Sequence, residues 1–476
     1  MVQPPSSKRY SLVAALATLV ALLSVVVVVE ASTRELWINS TSTIPPSNCC
    51  ARASPCHSFA EAISCVENGD TIIGVSGTFS GSGNVNLTFP KAVLLVSDHA
   101  YMQYPNGDRT PSVVIDCAGA PGWQFSLSSS SGSSDLSIMI DGFVFSGCRP
   151  ASNNNLGGGA LLSRSTYGKL QLQNAQFMHN SATDVAGGGG GLGGAIYWAA
   201  AFSMSNTSFS NNTAVAAGGA VYLAPSGGTP SLSNIVFDGN SVSGSNATGS
   251  ALVVSGSFDS LTLSNVTATN NVGALSTIEL ASTAPPALDQ WRITIERCSV
   301  MSNTAGGVVL RAAVGSSGSP NASTYVSVKD SSFSLNQYAS VPSGDELVLA
   351  SGIGINEALQ VTVSNCSFVA TRGAPGLLVK GASSSVVIES SSFSSHTIPK
   401  PWNASAVVLS VGGSVYINST TFSNNRAMDG GALTITTADS FVPTNVLIEA
   451  CQFVSNTALE SGGAIFSDGT CNEYLI

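Results

Sequence analysis

Charge is scarce in this chain. Asp, Glu, Lys and Arg make up 9% of its 476 residues, and the 27 acids outnumber the 17 bases, giving a net charge of −10 at pH 7. Such a surface excludes nucleic acid as a natural partner and is equally unsuited to anionic lipid. Solubility then rests on Ser, Thr and Asn and on any attached glycans. Histidine is scarcer still. His57, His99, His179 and His396 are scattered, none with a second His or a Cys at metal-ligand spacing. No metal site and no cofactor is therefore expected. Outside residues 11–29 no apolar run is long enough to span a bilayer. The tail 471–476 is too short and polar for a lipid-anchor signal. The 3.6-residue period is missing from the repeats described next, and Gly, Ser, Thr and Asn are dense in them, which disfavours a helical solenoid.

What is present is a motif pair that recurs about every 31 residues, a spacing that marks a solenoid whose units bury their apolar faces against their neighbours. The first element is F-x-x-N, beginning at Phe177, Phe209, Phe237, Phe333, Phe422 and Phe453. The second is G-G-A-[ILV], beginning at Gly158, Gly193, Gly218, Gly430 and Gly462. Degenerate copies place Phe145, Ala268, Val300, Phe368 and Phe393 in the phenylalanine column.

Aligned on that column, the repeats alternate. Apolar residues stand seven before it (Leu170, Leu261, Ile293, Val326) and five before it (Leu172, Leu263, Ile295, Val328), with polar ones such as Thr262 and Ser327 between. Period-two alternation with β-branched residues is a half-buried strand. Three before the phenylalanine stand Asn174, Asn206, Asn234, Asn265, Asp330 and Asn365, residue types that tolerate left-handed backbone, so this column reads as a corner. A second short strand turns the phenylalanine and the residue two before it inward. Asn three after the phenylalanine reads as another corner. Gly-Gly-Ala then leads into a third strand such as Ala195-Ile196-Tyr197-Trp198, its glycines permitting bends and close approach between coils. Three short strands and three corners per repeat predict an all-β fold: a parallel β-helix of about eleven or more coils rising ~4.8 Å each, with stacked phenylalanines and a ladder of asparagines inside.

The ends differ from the repeats. Residues 1–31 have the layout of a targeting segment: Lys8 and Arg9, the apolar run 11–29, then small residues before Ser32. A signal peptide cleaved after Ala31 is the first reading and an uncleaved signal anchor the second. In either case the remainder is extracellular or at the cell surface, and the membrane is met only through 11–29. Loss of Lys8, Arg9 and Glu30 would leave the mature chain slightly more acidic. Residues 32–118 read as an N-terminal cap with first coils. A helical spacing over 55–63 is suited to cover an open end of the solenoid, and strands are expected at 71–75 and 113–117. Residues 119–476 read as β-helix repeats whose last coil looks incomplete.

Cys49, Cys50, Cys56 and Cys65 lie in the exported, non-repeating segment, where a disulfide framework is expected and three pairings are open. Cys298, Cys366 and Cys451 share one inward column. Cys298 and Cys366 lie two coils apart, ~9.6 Å by strand spacing and beyond disulfide reach, so they read as buried thiols. Of the N-x-[ST] sequons, Asn39, Asn86, Asn246, Asn321 and Asn403 lie outside the core columns and are the glycosylation candidates. Asn206, Asn265 and Asn365 sit in the corner column.

The tandem F-x-x-N and G-G-A-[ILV] pairs resemble the repeats of the polymorphic outer-membrane protein family over roughly 145–476, and the segment 55–116 is similar to the opening of pectin-lyase-like right-handed β-helix proteins. This resemblance implies a right-handed coil. The bacterial members are exported surface adhesins ending in a membrane β-barrel. No barrel is legible here and the sequons fit a eukaryotic route, so that export route is not carried over.

Many right-handed β-helices are polysaccharide lyases or hydrolases, which need clustered Asp or paired carboxylates with a basic residue. Here the outward column four before the phenylalanine holds Asp141, Glu296, Glu389 and Glu449, and Glu296 and Glu389 lie three coils apart, ~14 Å by strand spacing. Asp116 and Asp141 are the only weak catalytic candidates, and both read more simply as turn residues. Tyr197, Trp198 and Tyr222 could offer aromatic faces to sugars, although core packing is the plainer reading. The sequence therefore reads first as a non-catalytic surface protein binding glycan or a cell-surface ligand. A carbohydrate-active enzyme with a divergent site and a structural spacer are the alternatives.

Overall fold

The computed structural model describes residues 34–43, 50–101, 111–127, 137–150, 157–183, 190–244, 247–273, 275–282, 290–304, 306–311, 323–337, 351–356, 358–381, 384–398, 405–437, 444–468 and 471–475. They form a right-handed, all-parallel β-helix. One 25-stranded sheet carries two strands of most coils, and a 13-stranded sheet carries the strand that follows each Gly-Gly-Ala or its equivalent. The repeat-derived register is met residue by residue. The phenylalanine column runs through paired positions Phe79, Ile115, Phe145, Phe177, Phe209, Phe237, Ala268, Val300, Phe333, Phe368, Phe393, Phe422 and Phe453. The rings stack in two runs. One joins Phe145 to Phe237 at 5.0–5.2 Å between centroids. The other joins Phe333 to Phe453 at 4.6–5.3 Å. Ala268 and Val300 separate them.

The corner three before the phenylalanine is left-handed in every repeat from Gly142 to Ala450, including Arg297 (φ 53°), Ser390 (φ 47°) and Ser419 (φ 50°), where the residue type alone gives no hint of it. The second corner departs from the sequence reading. Its left-handed residue lies two after the phenylalanine, at His179, Asn211, Gly239, Asn270, Ser302, Leu335, Ala370, Ser395, Asn424 and Ser455. The asparagine one further on is not the bend itself, but it does form the expected ladder, buried inside the coils. Asn180, Asn212, Asn240, Asn271 and Asn303 each donate from Nδ2 to the next coil's Asn Oδ1 at 2.9–3.0 Å, ending on Asn336. They also donate to the carbonyl of the phenylalanine column one coil back, for example Asn212 Nδ2 to Phe177 O at 3.0 Å. A buried amide must find partners for its donors and acceptor, and stacking identical amides supplies them.

The glycine pair divides its work. Gly193 and Gly218 are left-handed (φ 64° and 63°). Gly194 and Gly219 are the close-approach positions: a Cβ there would lie 2.1 Å from Gly219 O and 1.9 Å from Ser250 O respectively. Trp198 points into the core, whereas Tyr197 and Tyr222 point outward.

The predicted helix is Phe59–Cys65, capped by Ser58, whose side chain accepts from the Glu61 amide. Its Phe59 ring lies within the core, 4.9 Å from Trp123 and 5.1 Å from Phe79. The predicted early strands are found as Thr71–Gly74 and Val113–Asp116. Among the described residues no helix is long and apolar enough to cross a membrane; residues 1–31 lie outside them.

Candidate functional site

The two acids singled out from the sequence are both engaged locally. Asp116 ends its strand and accepts the Ala118 amide at 3.1 Å, where the chain turns through left-handed Ala118. Asp141 is buried and accepts from Asn174 Nδ2 at 2.6 Å. It starts an outer ladder in which Asn206 donates to Asn174, Asn234 to Asn206 and Asn265 to Asn234. Asp116 pairs in register with Ser146 and Asp141 with Gln173, so the structure does not bring them into one column. Further along the Asp141 column, Lys329 and Ser364 separate Glu296 from Glu389, and Asn418 separates Glu389 from Glu449. Among the described residues no group of three His, Cys, Asp or Glu is placed to hold a metal ion.

Of the glycosylation candidates, Asn39 is half-buried and its Oδ1 accepts from both the Thr41 amide (3.0 Å) and the Thr41 hydroxyl (2.9 Å), a turn within the sequon. Asn86 is exposed in a left-handed position. Asn246, Asn321 and Asn403 lie outside the described residues, as does Cys49. Cys50 bonds to Cys56, and Cys65 is also disulfide-bonded. Cys298, Cys366 and Cys451 are free thiols. Burial pushes the pKa of Cys298 and of Cys366 up to about 11.

A further disulfide, Cys117–Cys148, was missed by the sequence reading. Its separation of 31 residues is one repeat, so it staples two adjacent coils; the spacing was the available signal. Closing a loop of that size constrains the unfolded chain by about 3–4 kcal/mol. The Cys117→Ser, Cys148→Ser variant should lose that much stability, measured by denaturant unfolding against the oxidised wild type.

The two sheets carry outward-directed rows of different chemistry, the first buried except at Tyr197 and Tyr222 and the second half-exposed. On the 13-stranded sheet, one outward row runs in register through Leu162, Tyr197, Tyr222, Val253, Glu279, Val309, Gly354, Leu378 and Val408. Tyr197 and Tyr222 stack at 5.6 Å with rings 2° from parallel, so each covers a face of the other. Burial, then the neighbouring Tyr222, raises the pKa of Tyr197. Val309, Leu378, Ile398 and Val408 form an apolar cluster separate from the main core. Glu279, also missed by the sequence reading, is buried in this row. Its Oε1 lies 3.5 Å from Arg311 Nε, and its Oε2 has no partner among the described residues.

The second face belongs to the 25-stranded sheet. One residue before the phenylalanine column, Thr267, Ser299, Ser332, Ser367, Ser392 and Thr421 follow one another in register on successive coils. One residue after it, Thr269, Ser334, Ser394 and Ser423 continue the pattern, with Met301 and Val369 between. All are half-exposed, and the inward residue of the phenylalanine column between each pair, Ala268 and Val300 included, fixes their outward direction. Strand geometry spaces them ~4.8 Å along the axis and about 6.6 Å within a strand. Neither row carries charge from Thr267 to Thr421.

The description "right handed beta helix region" matches residues 287–475, and the Chlamydia polymorphic membrane protein repeat matches residues 206–224. No curated protein matches the chain in sequence. Among solved structures, the chain is similar to the Agl-KA catalytic domain at 13% identity, covering 88% of this chain and 65% of that one, with a TM-score of 0.42. It thus spans less than two thirds of that domain's length. It is similar to pectate lyase Pel9A at 12% identity, covering 93% and 79%, with a TM-score of 0.30. It is also similar to the Streptococcus pneumoniae surface protein and adhesin PfbA at 9% identity, covering 86% and 94%, with a TM-score of 0.31. At these values the likenesses are no guide to activity. The chain is thus a right-handed parallel β-helix, matched as such over residues 287–475, in which the stretch 206–224 is similar to the polymorphic membrane protein repeat.

Proposed function

We propose that this is an exported protein of the cell surface or extracellular space that binds glycan or another surface without turning it over. In this reading residues 1–31 direct export, 32–118 cap and start the solenoid, and 119–476 form the binding rod. The observation that carries it is the uncharged hydroxyl face from Thr267 to Thr421. Hydroxyls both donate and accept, as sugar hydroxyls do. Each such bond contributes only about 1 kcal/mol net in water, so useful affinity requires many of them held in fixed register, and stacked coils supply that. The separated carboxylates point the same way, since glycoside cleavage needs two acids across one bond.

The enzyme reading rests on Glu279, a buried carboxylate beside Arg311 with one oxygen that no described residue partners. To separate the two, the exported protein is offered uronate and neutral polysaccharides, with and without Ca²⁺, alongside glycan-array and cell-binding measurements. Saturable binding with no new reducing ends or unsaturated products is expected. Turnover abolished by Glu279→Gln, Asp116→Asn or Asp141→Asn would overturn the proposal in favour of an enzyme. Neither binding nor turnover would leave the rod as a spacer.

A further inference from the structure

The buried asparagine ladder has a gap. It is continuous from Asn180 to Asn336 and resumes where Asn425 donates to Asn456 at 2.9 Å. Between them, two coils place Thr371 and His396 in the ladder position. Both are buried, and each keeps a polar atom with no partner among the described residues, Thr371 Oγ1 and His396 Nδ1. His396 imitates the ladder on one side only. Its amide donates to Asn425 Oδ1 at 3.1 Å, and its Nε2 lies 3.1 Å from Phe368 O, the carbonyl that a ladder amide would use. A carbonyl only accepts, so Nε2 carries the proton of the neutral ring and Nδ1 is left as a bare acceptor. Gly376 closes the ring in: a Cβ there would lie 2.7 Å from the imidazole Cε1.

Protonation would place a second N–H and a full charge in this site, where none of the described residues receives either. The elements around the ring are the Ser367–Val369 strand, the Thr371 bend, Gly376 and the Asn425 bend. Arg372 and Arg426 on those bends are exposed to solvent, and no acid is among the influences on the ring. Burial pushes its pKa down to about 4, against a weak opposing effect of the Phe368 carbonyl. An isolated buried charge is relieved either by losing the proton or by admitting water.

We propose that His396 is an acid-sensitive joint: its protonation parts the solenoid at the coils of Thr371 and His396 while the ladders on either side stay closed. Solenoid coils contact only their neighbours, so one interface can open without global unfolding. The sign follows from linkage. The closed form resists the proton and the open form takes it near the ordinary histidine value, so closure is complete above about pH 6.5 and weakens as pH falls towards 4.

Hydrogen exchange on the full exported chain tests this at neutral pH and near pH 4.5, corrected for intrinsic rates. The opening equilibrium of amides around Thr371–Gly376 and His396–Arg426 should rise roughly 10- to 100-fold, given an open-state pKa near 6.5. Amides along Asn180–Asn303 should change far less. His396→Asn, which restores the ladder residue, should remove the rise. Because that variant could fold differently, histidine-selective NMR on the wild type gives a second readout: with four histidines, one ring should stay neutral through pH 5. A uniform acid response along the rod, a response that persists in His396→Asn, or four rings titrating together near pH 6.5 would each overturn the joint.

Discussion

Gly219→Ala should prevent the central coils from closing. The Cβ it adds would lie 1.9 Å from Ser250 O, 2.7 Å from Ser241 O and 2.9 Å from Ser241 C, all backbone atoms of the next coil. No side-chain rotation relieves contacts of that kind, so the coils themselves must separate. The bonds at stake include Gly219 N–H to Gly249 O at 3.0 Å and Ala220 N–H to Ala251 O at 3.1 Å. Ser241 also directly follows Asn240 of the buried ladder, so the disturbance would reach the amide stack. Overpacking alone usually costs 1–3 kcal/mol, and a backbone clash lies at or beyond the top of that range, at least about 3 kcal/mol. Gly228→Ala separates this from ordinary glycine effects. Gly228 is left-handed (φ 86°) but a Cβ there meets nothing within 4 Å, so it should cost only the left-handed penalty of about 1–2 kcal/mol. Paired denaturation or exchange measurements on the two variants decide the matter; equal costs would mean that coil proximity is not what the second glycine of the motif serves.

Much of this was legible in the sequence because a stacked solenoid repeats each physical requirement at one fixed offset. Inward strand positions, the phenylalanine stack, the first corner and the role of the glycines all emerge from aligned columns. The second corner did not. Its left-handed position is filled by His179, Gly239, Ser302, Leu335 and Ala370 among others, a mixture with no common propensity. The coil closes there because its neighbours do, even though a left-handed Leu335 or Ala370 is intrinsically unfavourable by about 1–2 kcal/mol. The asparagine beside it was misplaced at the bend for want of one distinction. A bend would admit glycine, as the first corner does at Gly142, whereas a side-chain ladder cannot, and none of the aligned repeats, including the degenerate ones with Cys148, Thr371 and His396, has glycine there. The hydroxyl face and Glu279 were illegible for another reason. Ser and Thr flanking an inward residue are ordinary outer-strand residues until the register places them on successive coils. A single Glu in an apolar row gives no sign of its burial.

Phe333→Ala should be among the most damaging core substitutions, at about 3–5 kcal/mol, the usual range for emptying an aromatic core site. Phe333 is fully buried, pairs in register with Val300 and Phe368, and stacks 5.0 Å from Phe368 at 15°. It begins the second aromatic run, so its loss leaves the Phe368 ring facing a cavity between it and the smaller Val300. Backbone pairing on both sides holds the coils at fixed spacing and limits how far that space can collapse, which places the cost high in the range. Ser332→Ala, one residue away and outward, should stay within ±0.5 kcal/mol. Since neighbouring coils can unfold separately, exchange protection around Ser332–Ser334 and Ser367–Val369 is the appropriate readout beside bulk denaturation. A loss below 1 kcal/mol for Phe333→Ala, or one no larger than for Ser332→Ala, would show that the column does not carry the interior of the rod.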